Sequence, residues 1–158
     1  MISNTYWDTA HAISYDLPQP SEYPESIVSW RVSVARSILL IHDMQRYFLD
    51  RFDLTQQPAS DLVENIERAM ITARRLGVPV VYTAQPGSMT PEQRGLLKDF
   101  WGPGMTVSEE HRQIIDRLSP EPNDLVLDKW RYSAFARTPL ENFIQQTGRD
   151  QIVICGIY

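Results

Sequence analysis

Four short apolar runs, separated by stretches with helical spacing, constrain the fold of this chain more than any other feature. They are Ser37-Ile38-Leu39-Leu40-Ile41-His42, Val78-Pro79-Val80-Val81-Tyr82-Thr83, Leu125-Val126-Leu127-Asp128 and Gln151-Ile152-Val153-Ile154-Cys155-Gly156. Runs of this length without alternation suit strands buried on both faces, and helices between them require parallel pairing with right-handed crossovers. The expected fold is therefore α/β, a parallel sheet flanked by helices in three layers, Rossmann-like in plan. With the fourth strand beside the first, on the side away from the second, the strand order is 3-2-1-4. The topological switch then falls between strands one and four, where ligands bind such sheets, and Asp43 faces Tyr158 across the crevice.

The helices carry their own signals. Val63, Ile66, Met70 and Ala73 share one face of a helix predicted over 61–76, with Ser60 as its cap and Gly77 as its stop. Pro79 restricts the second strand to starting there or bulging there. Thr90-Pro91-Glu92-Gln93 has the signature of a capped helix start, and Thr138-Pro139-Leu140-Glu141 repeats it ahead of Gly148. A further helix is predicted over 109–118. Residues 1–36, with Pro18, Pro20 and Pro24 among Tyr6, Trp7, Tyr15 and Trp30, show no sustained period. They are read as an arm lying over a domain that spans 37–158.

Composition narrows the function. A net charge of -5 over 158 residues argues against nucleic acid and acidic membrane surfaces as partners. No apolar stretch approaches the roughly 18–20 residues of a membrane span, and the N-terminus lacks the pattern of a signal peptide. A single cysteine forms no internal disulfide, which fits a cytoplasmic location. Its place inside the fourth apolar run suits a buried packing residue better than a nucleophile. His11, His42 and His111 show no metal-ligand spacing, and no glycine-rich phosphate loop follows any strand.

Asp43 is the leading candidate for chemistry. It could cap the helix after the first strand, or serve as a general acid half-buried at the ligand-binding edge. Burial there favours the protonated form of a carboxyl, whereas a close cation such as Lys129 favours the ionised form, and the sequence leaves the two opposed. Lys129 is either a surface residue beside Asp128 or a cation inside the crevice. Gln85 and Arg94 flank the turn after the second strand, and a guanidinium suits bidentate binding of a carboxylate. Phe100-Trp101-Gly102-Pro103-Gly104-Met105 reads as a loop, either simply packed on the surface or walling a ring-shaped ligand.

Four segments together carry a resemblance: Leu40-Ile41-His42-Asp43-Met44-Gln45, Tyr82-Thr83-Ala84-Gln85-Pro86-Gly87, Asp99-Phe100-Trp101-Gly102-Pro103-Gly104 and Lys129-Trp130-Arg131-Tyr132-Ser133-Ala134-Phe135. Over about residues 30–158 the chain resembles the isochorismatases, vinyl-ether hydrolases of the cysteine-hydrolase superfamily. From Ala84 to Met105 it looks most like the phenazine-pathway member, which acts on 2-amino-2-deoxyisochorismate. Siderophore-pathway members act on isochorismate. The resemblance implies an isochorismatase fold and an enzyme that needs no metal or organic cofactor. It makes Asp43 the acid that protonates the enolpyruvyl methylene, with Lys129 as its catalytic partner. It assigns Gln85, Arg94 and Lys129 to the polar groups of a chorismate-derived dianion, and Phe48, Trp101, Tyr132 and Tyr158 to the pocket walls. It also suggests a homodimer.

The resemblance has a limit. Family members continue for about fifty residues past the Gly-Ile-Tyr at 156–158, so this chain is expected to be a fragment. Its fourth strand is then an apolar sheet edge prone to pairing, and one wall of the crevice is open to water. The position that holds a nucleophilic cysteine in the amidase branch, and glycine in isochorismatases, lies beyond Tyr158. Two other readings therefore stand beside the first: a nicotinamidase-like cysteine amidase, and a truncated non-catalytic binding or assembly partner.

Overall fold

The four apolar runs lie side by side in one parallel sheet of the computed structural model, which describes residues 13–105 and 108–157. The strands are β1 (Ser37–His42), β2 (Val80–Ala84), β3 (Leu125–Asp128) and β4 (Gln151–Gly156), and their order is β3-β2-β1-β4. Between them run α1 (Arg46–Leu49), α2 (Ala59–Arg75), α3 (Pro91–Arg94), α4 (Leu97–Trp101), α5 (Glu109–Arg112) and α6 (Leu140–Thr147). The sheet matches the expected α/β architecture in both its strands and their order.

The pleat divides the core in two. Leu39 and Ile41 of β1 and Val80 and Tyr82 of β2 pack against Val63, Ile66, Met70 and Ala73, the apolar face of α2. Ile38 and Leu40 of β1, with Val81 and Leu127, pack on the opposite face against Leu140 and the partly buried Phe143 and Ile144 of α6. Each fully buried Leu or Ile contributes about 1.5–3 kcal/mol, so the two helices hold the sheet from both faces.

Register aligns the strand ends. Leu39 pairs with Val80 and Ser37 with Gln151, while Ala84 pairs with Asp128. The residues that follow β1, β2 and β3 (Asp43, Gln85 and Lys129) therefore emerge along one edge. Backbone bonds prolong the ladder beyond the strands: Asp43 N–H donates to the Thr83 carbonyl at 3.1 Å and Lys129 N–H to the Ala84 carbonyl at 2.8 Å.

The helices differ from expectation in five places. Pro139, not Thr138, precedes the first residue of α6, although Thr138 Oγ1 still accepts from Leu140 N–H. Ser60 is not the cap of α2, which begins at Ala59 after Pro58; Ser60 Oγ donates to Asp61 instead. Asp43 caps no helix, since Gln45 occupies that position ahead of α1. The helix predicted over 109–118 divides into α5 and a 3-10 turn over Asp116–Leu118. The cause is tertiary: Arg46 N–H donates to the Gln113 carbonyl and Ile115 N–H to the Met44 carbonyl, drawing 113–115 into an extended pairing with the loop after β1. Finally, Phe100 and Trp101 belong to α4, bracketed by Gly95 and Gly102 at positive φ, and Phe100 is mostly exposed.

Of the N-terminal segment, Ile13 pairs with Phe52, and Ser14 and Leu17 bond to Gln57. Tyr6, Trp7, His11 and Tyr158 lie outside the described residues. Among the described residues, no helix is long and apolar enough to cross a membrane.

Candidate active site

The loop that leaves β1 turns sharply at Asp43, whose φ of +50° lies in the left-handed region that aspartate tolerates better than most residues. This turn sends the Asp43 side chain into the protein, where it is 2% exposed. Lys129, arriving from the end of β3, is 4% exposed, and its Nζ sits 2.8 Å from Asp43 Oδ2. Thr83 Oγ1 donates to Asp43 Oδ1 at 2.6 Å and Gln85 Nε2 reaches Oδ2 at 3.4 Å. Lys129 Nζ also donates to the Arg131 carbonyl at 3.2 Å. Two opposite charges are thus buried together with their hydrogen-bonding capacity largely met, the condition under which such a pair is tolerated.

Gln85 links this pair to a second cation. Its Oε1 accepts from Arg94 Nη1 at 3.3 Å while its Nε2 donates to Asp43, which fixes the amide orientation from both ends. Arg94 stands at the end of α3, whose start is built as expected: Thr90 Oγ1 accepts from Gln93 N–H and Gln93 Oε1 accepts from Thr90 N–H. The guanidinium is nevertheless buried, and burial holds its pKa below the ordinary arginine value. Its Nε donates to the Gly102 carbonyl at 3.1 Å. A Cβ on Gly104, which adopts φ +79°, would lie 2.7 Å from Arg94 Cζ. The turn residues after Trp101 therefore make room for a guanidinium whose partners here are neutral oxygens, an arrangement suited to an anionic ligand.

These side chains line a cavity of about 190 Å³. Seven of the eight candidate residues border it: Asp43, Phe48, Gln85, Arg94, Trp101, Lys129 and Tyr132. The eighth, Tyr158, lies outside the described residues. The walls are aromatic. Phe48 meets Tyr47 edge-on with ring centroids 5.2 Å apart, and Trp101 Nε1 donates to the Tyr132 hydroxyl. Asp43 supplies the one carboxylate among the lining residues, against the cationic side chains of Arg51, Arg94, Lys129 and Arg131. In a chain of net charge -5, so local an excess of positive charge focuses an anion onto one acidic group.

Some residues of the site went unassigned in the sequence. Thr83 and Gln45 are fully buried. Gln45 Oε1 accepts from Gln85 N–H at 2.7 Å, and its Nε2 donates to the carbonyls of Gln85 at 3.0 Å and Arg112 at 2.7 Å, clamping the loop after β2. The available signal was an uncharged polar residue two positions after Asp43, at the end of a buried strand run. His42 also borders the cavity, with Nδ1 3.9 Å from Asp43 Oδ2 and 3.3 Å from the Ile157 carbonyl. Arg131 and Leu97 border it as well. Cys155 does not: it packs at the margin of the α2-side core, and burial pushes its thiol up to about 11. Among the described residues, no group of three or more His, Cys, Asp or Glu side chains converges as metal ligands do.

Comparison with known proteins bears on the family and the fold. Residues 37–158 match the family model of the isochorismatase domain. The chain is 50% identical over 144 residues to the isochorismatase of Bacillus subtilis (strain 168), covering 91% of this chain and 46% of that protein. It is 48% identical over 146 residues to phenazine biosynthesis protein PhzD of Pseudomonas fluorescens, covering 92% of this chain and 70% of the relative. It thus spans about half the length of the first relative. A crystal structure of a cysteine hydrolase from Pseudomonas syringae pv. phaseolicola 1448A superposes with a TM-score of 0.73 at 23% identity, over 86% of this chain and 66% of that one. That likeness concerns the fold alone.

Proposed function

Because this chain belongs to the isochorismatase family, we propose that it hydrolyses the enolpyruvyl ether of isochorismate or of its 2-amino-2-deoxy analogue, as a step in phenazine- or siderophore-type secondary metabolism. The observation that carries the reading is the buried Asp43–Lys129 pair at 2.8 Å, set in a cavity whose other charged groups are cationic. Both proposed substrates carry two carboxylates, one on the ring and one on the enolpyruvyl group. Arg94 and Lys129 offer each a cation, and Phe48, Trp101 and Tyr132 offer the ring apolar walls.

In this reading the anionic substrate draws Lys129 to itself and favours a proton, taken up from solvent, on Asp43, and Asp43 gives that proton to the terminal methylene of the enol ether. The double-bond electrons form the new C–H bond, and the adjacent carbon becomes an oxocarbenium ion. Water adds to that carbon and returns a proton to Asp43. The hemiketal then collapses: its hydroxyl becomes the ketone of pyruvate, and the ring oxygen leaves with a proton. The Asp43 carboxylate faces the developing cation, and Lys129 steadies that carboxylate once its proton has gone, so preorganised charge lowers the barrier. The same proposal takes the protein to be a cytoplasmic homodimer, supported by the family resemblance and the single cysteine.

The test is pyruvate release from each substrate, with Asp43→Asn as the control. Loss of a positioned general acid lowers kcat by about 10²–10⁴-fold. Turnover by the variant at the wild-type rate would sink the role of Asp43, and turnover of neither substrate by the wild type would sink the reaction.

A further inference from the structure

The two oxygens of Asp43 are not equivalent, and Thr83 makes the difference. Thr83 Oγ1 donates to Oδ1 at 2.6 Å and itself accepts, at 3.2 Å, from the Asp43 N–H that it shares with its own backbone carbonyl at 3.1 Å. Oδ2 instead meets Lys129 Nζ at 2.8 Å and Gln85 Nε2 at 3.4 Å, two groups that border the cavity. Thr83 is 0% exposed and does not border the cavity.

A threonine hydroxyl has one hydrogen to give. With its acceptor side turned to Asp43 N–H, that hydrogen points at Oδ1, which is then held as an acceptor. A proton placed on Oδ1 would turn the bond around and leave the hydroxyl hydrogen buried without this acceptor, the costly way to lose a hydrogen bond. A proton on Oδ2 meets no such obstacle. It displaces Lys129, whose Nζ already has the Arg131 carbonyl at 3.2 Å as a second acceptor and gains a substrate carboxylate on binding. We propose that Thr83 is a positioning residue that reserves Asp43 Oδ2, the oxygen held by two cavity-lining side chains, for the proton given to substrate. This rests on the vinyl-ether reading and adds which oxygen acts and what selects it.

The test compares Thr83→Val, which keeps the branched shape of the strand residue, with Thr83→Ser, which keeps the hydroxyl. The expected result is a fall in kcat of about 10- to 100-fold in Thr83→Val, with KM within about twofold of wild type, since Thr83 does not face the ligand. Thr83→Ser recovers most of the lost kcat. Wild-type kcat in Thr83→Val overturns the proposal, as does an equal fall in both variants, which would assign the effect to the methyl group. A wild type that releases no pyruvate counts against the vinyl-ether reading instead. The ¹³C resonance of the Asp43 carboxyl then decides for Thr83: it moves in Thr83→Val and stays near wild type in Thr83→Ser, and identical shifts in all three proteins overturn the proposal.

Discussion

Replacing Lys129 by Met tests the buried pair directly. Methionine preserves most of the aliphatic stem, so the loss falls on the charge rather than on packing. With Asp43 2% and Lys129 4% exposed, solvent cannot take the place of the missing ammonium. Breaking such a pair from one side costs about 3–5 kcal/mol. For a chain of 158 residues, an unfolding entropy of roughly 2.1 cal/mol/K per residue amounts to about 0.33 kcal/mol/K. The melting temperature of Lys129→Met should therefore fall by roughly 9–15 °C. Asp43→Asn alone should also destabilise, by stranding Lys129. In the double variant neither charge is stranded, so it should be more stable than the sum of the single losses by about 2 kcal/mol, within the usual range for contacting residues. Urea unfolding of the four proteins at neutral pH measures this cycle. A loss below about 1 kcal/mol in Lys129→Met, or strict additivity, would refute the claim that the two charges compensate one another in a dry site.

Three other perturbations follow from the geometry. Gly104→Ala places a Cβ against the Arg94 guanidinium at 2.7 Å and strains a backbone at φ +79°; KM for the dianionic substrate should rise about tenfold, as steady-state kinetics would show. Gly156→Ala would put a Cβ 2.1 Å from the His42 carbonyl oxygen at φ +143°, prising β4 from β1 at a cost of about 3 kcal/mol or more, read as a lower urea midpoint or loss of soluble protein. Burial pushes Tyr82 up to about 12 from its ordinary 10.0, so the folded state holds the phenol proton after the unfolded chain has released it. The stability this contributes is complete below pH 10 and is lost as pH rises from there towards 12. Urea midpoints between pH 8 and 11 should fall more steeply for the wild type than for Tyr82→Phe.

The strands and their order were legible because burial on both sheet faces leaves unbroken apolar runs such as Ile38-Leu39-Leu40-Ile41. Asp43, Gln85 and Lys129 were legible for a related reason: each follows a strand, and parallel register brings strand ends to one edge. What the sequence could not show depends on partners far along the chain. Residues 113–115 have helical neighbours, yet they pair with the loop after β1, which outweighs local propensity. Thr83 lies inside an apolar run, and only the register that sets it beside Asp43 gives its hydroxyl a task. Arg94 was legible as a candidate anion-binding residue, but nothing local announces that the turn at Gly102 and Gly104 will enclose its guanidinium.

That enclosure also bears on how this pocket can change over generations. Two separate constraints meet at position 104. A Cβ there lies 2.7 Å from the Arg94 guanidinium, so the long side chain must move aside to admit it. The backbone at φ +79° favours glycine whatever stands at 94. Shortening residue 94 therefore relieves the first constraint and leaves the second, so the two positions are coupled without being interchangeable.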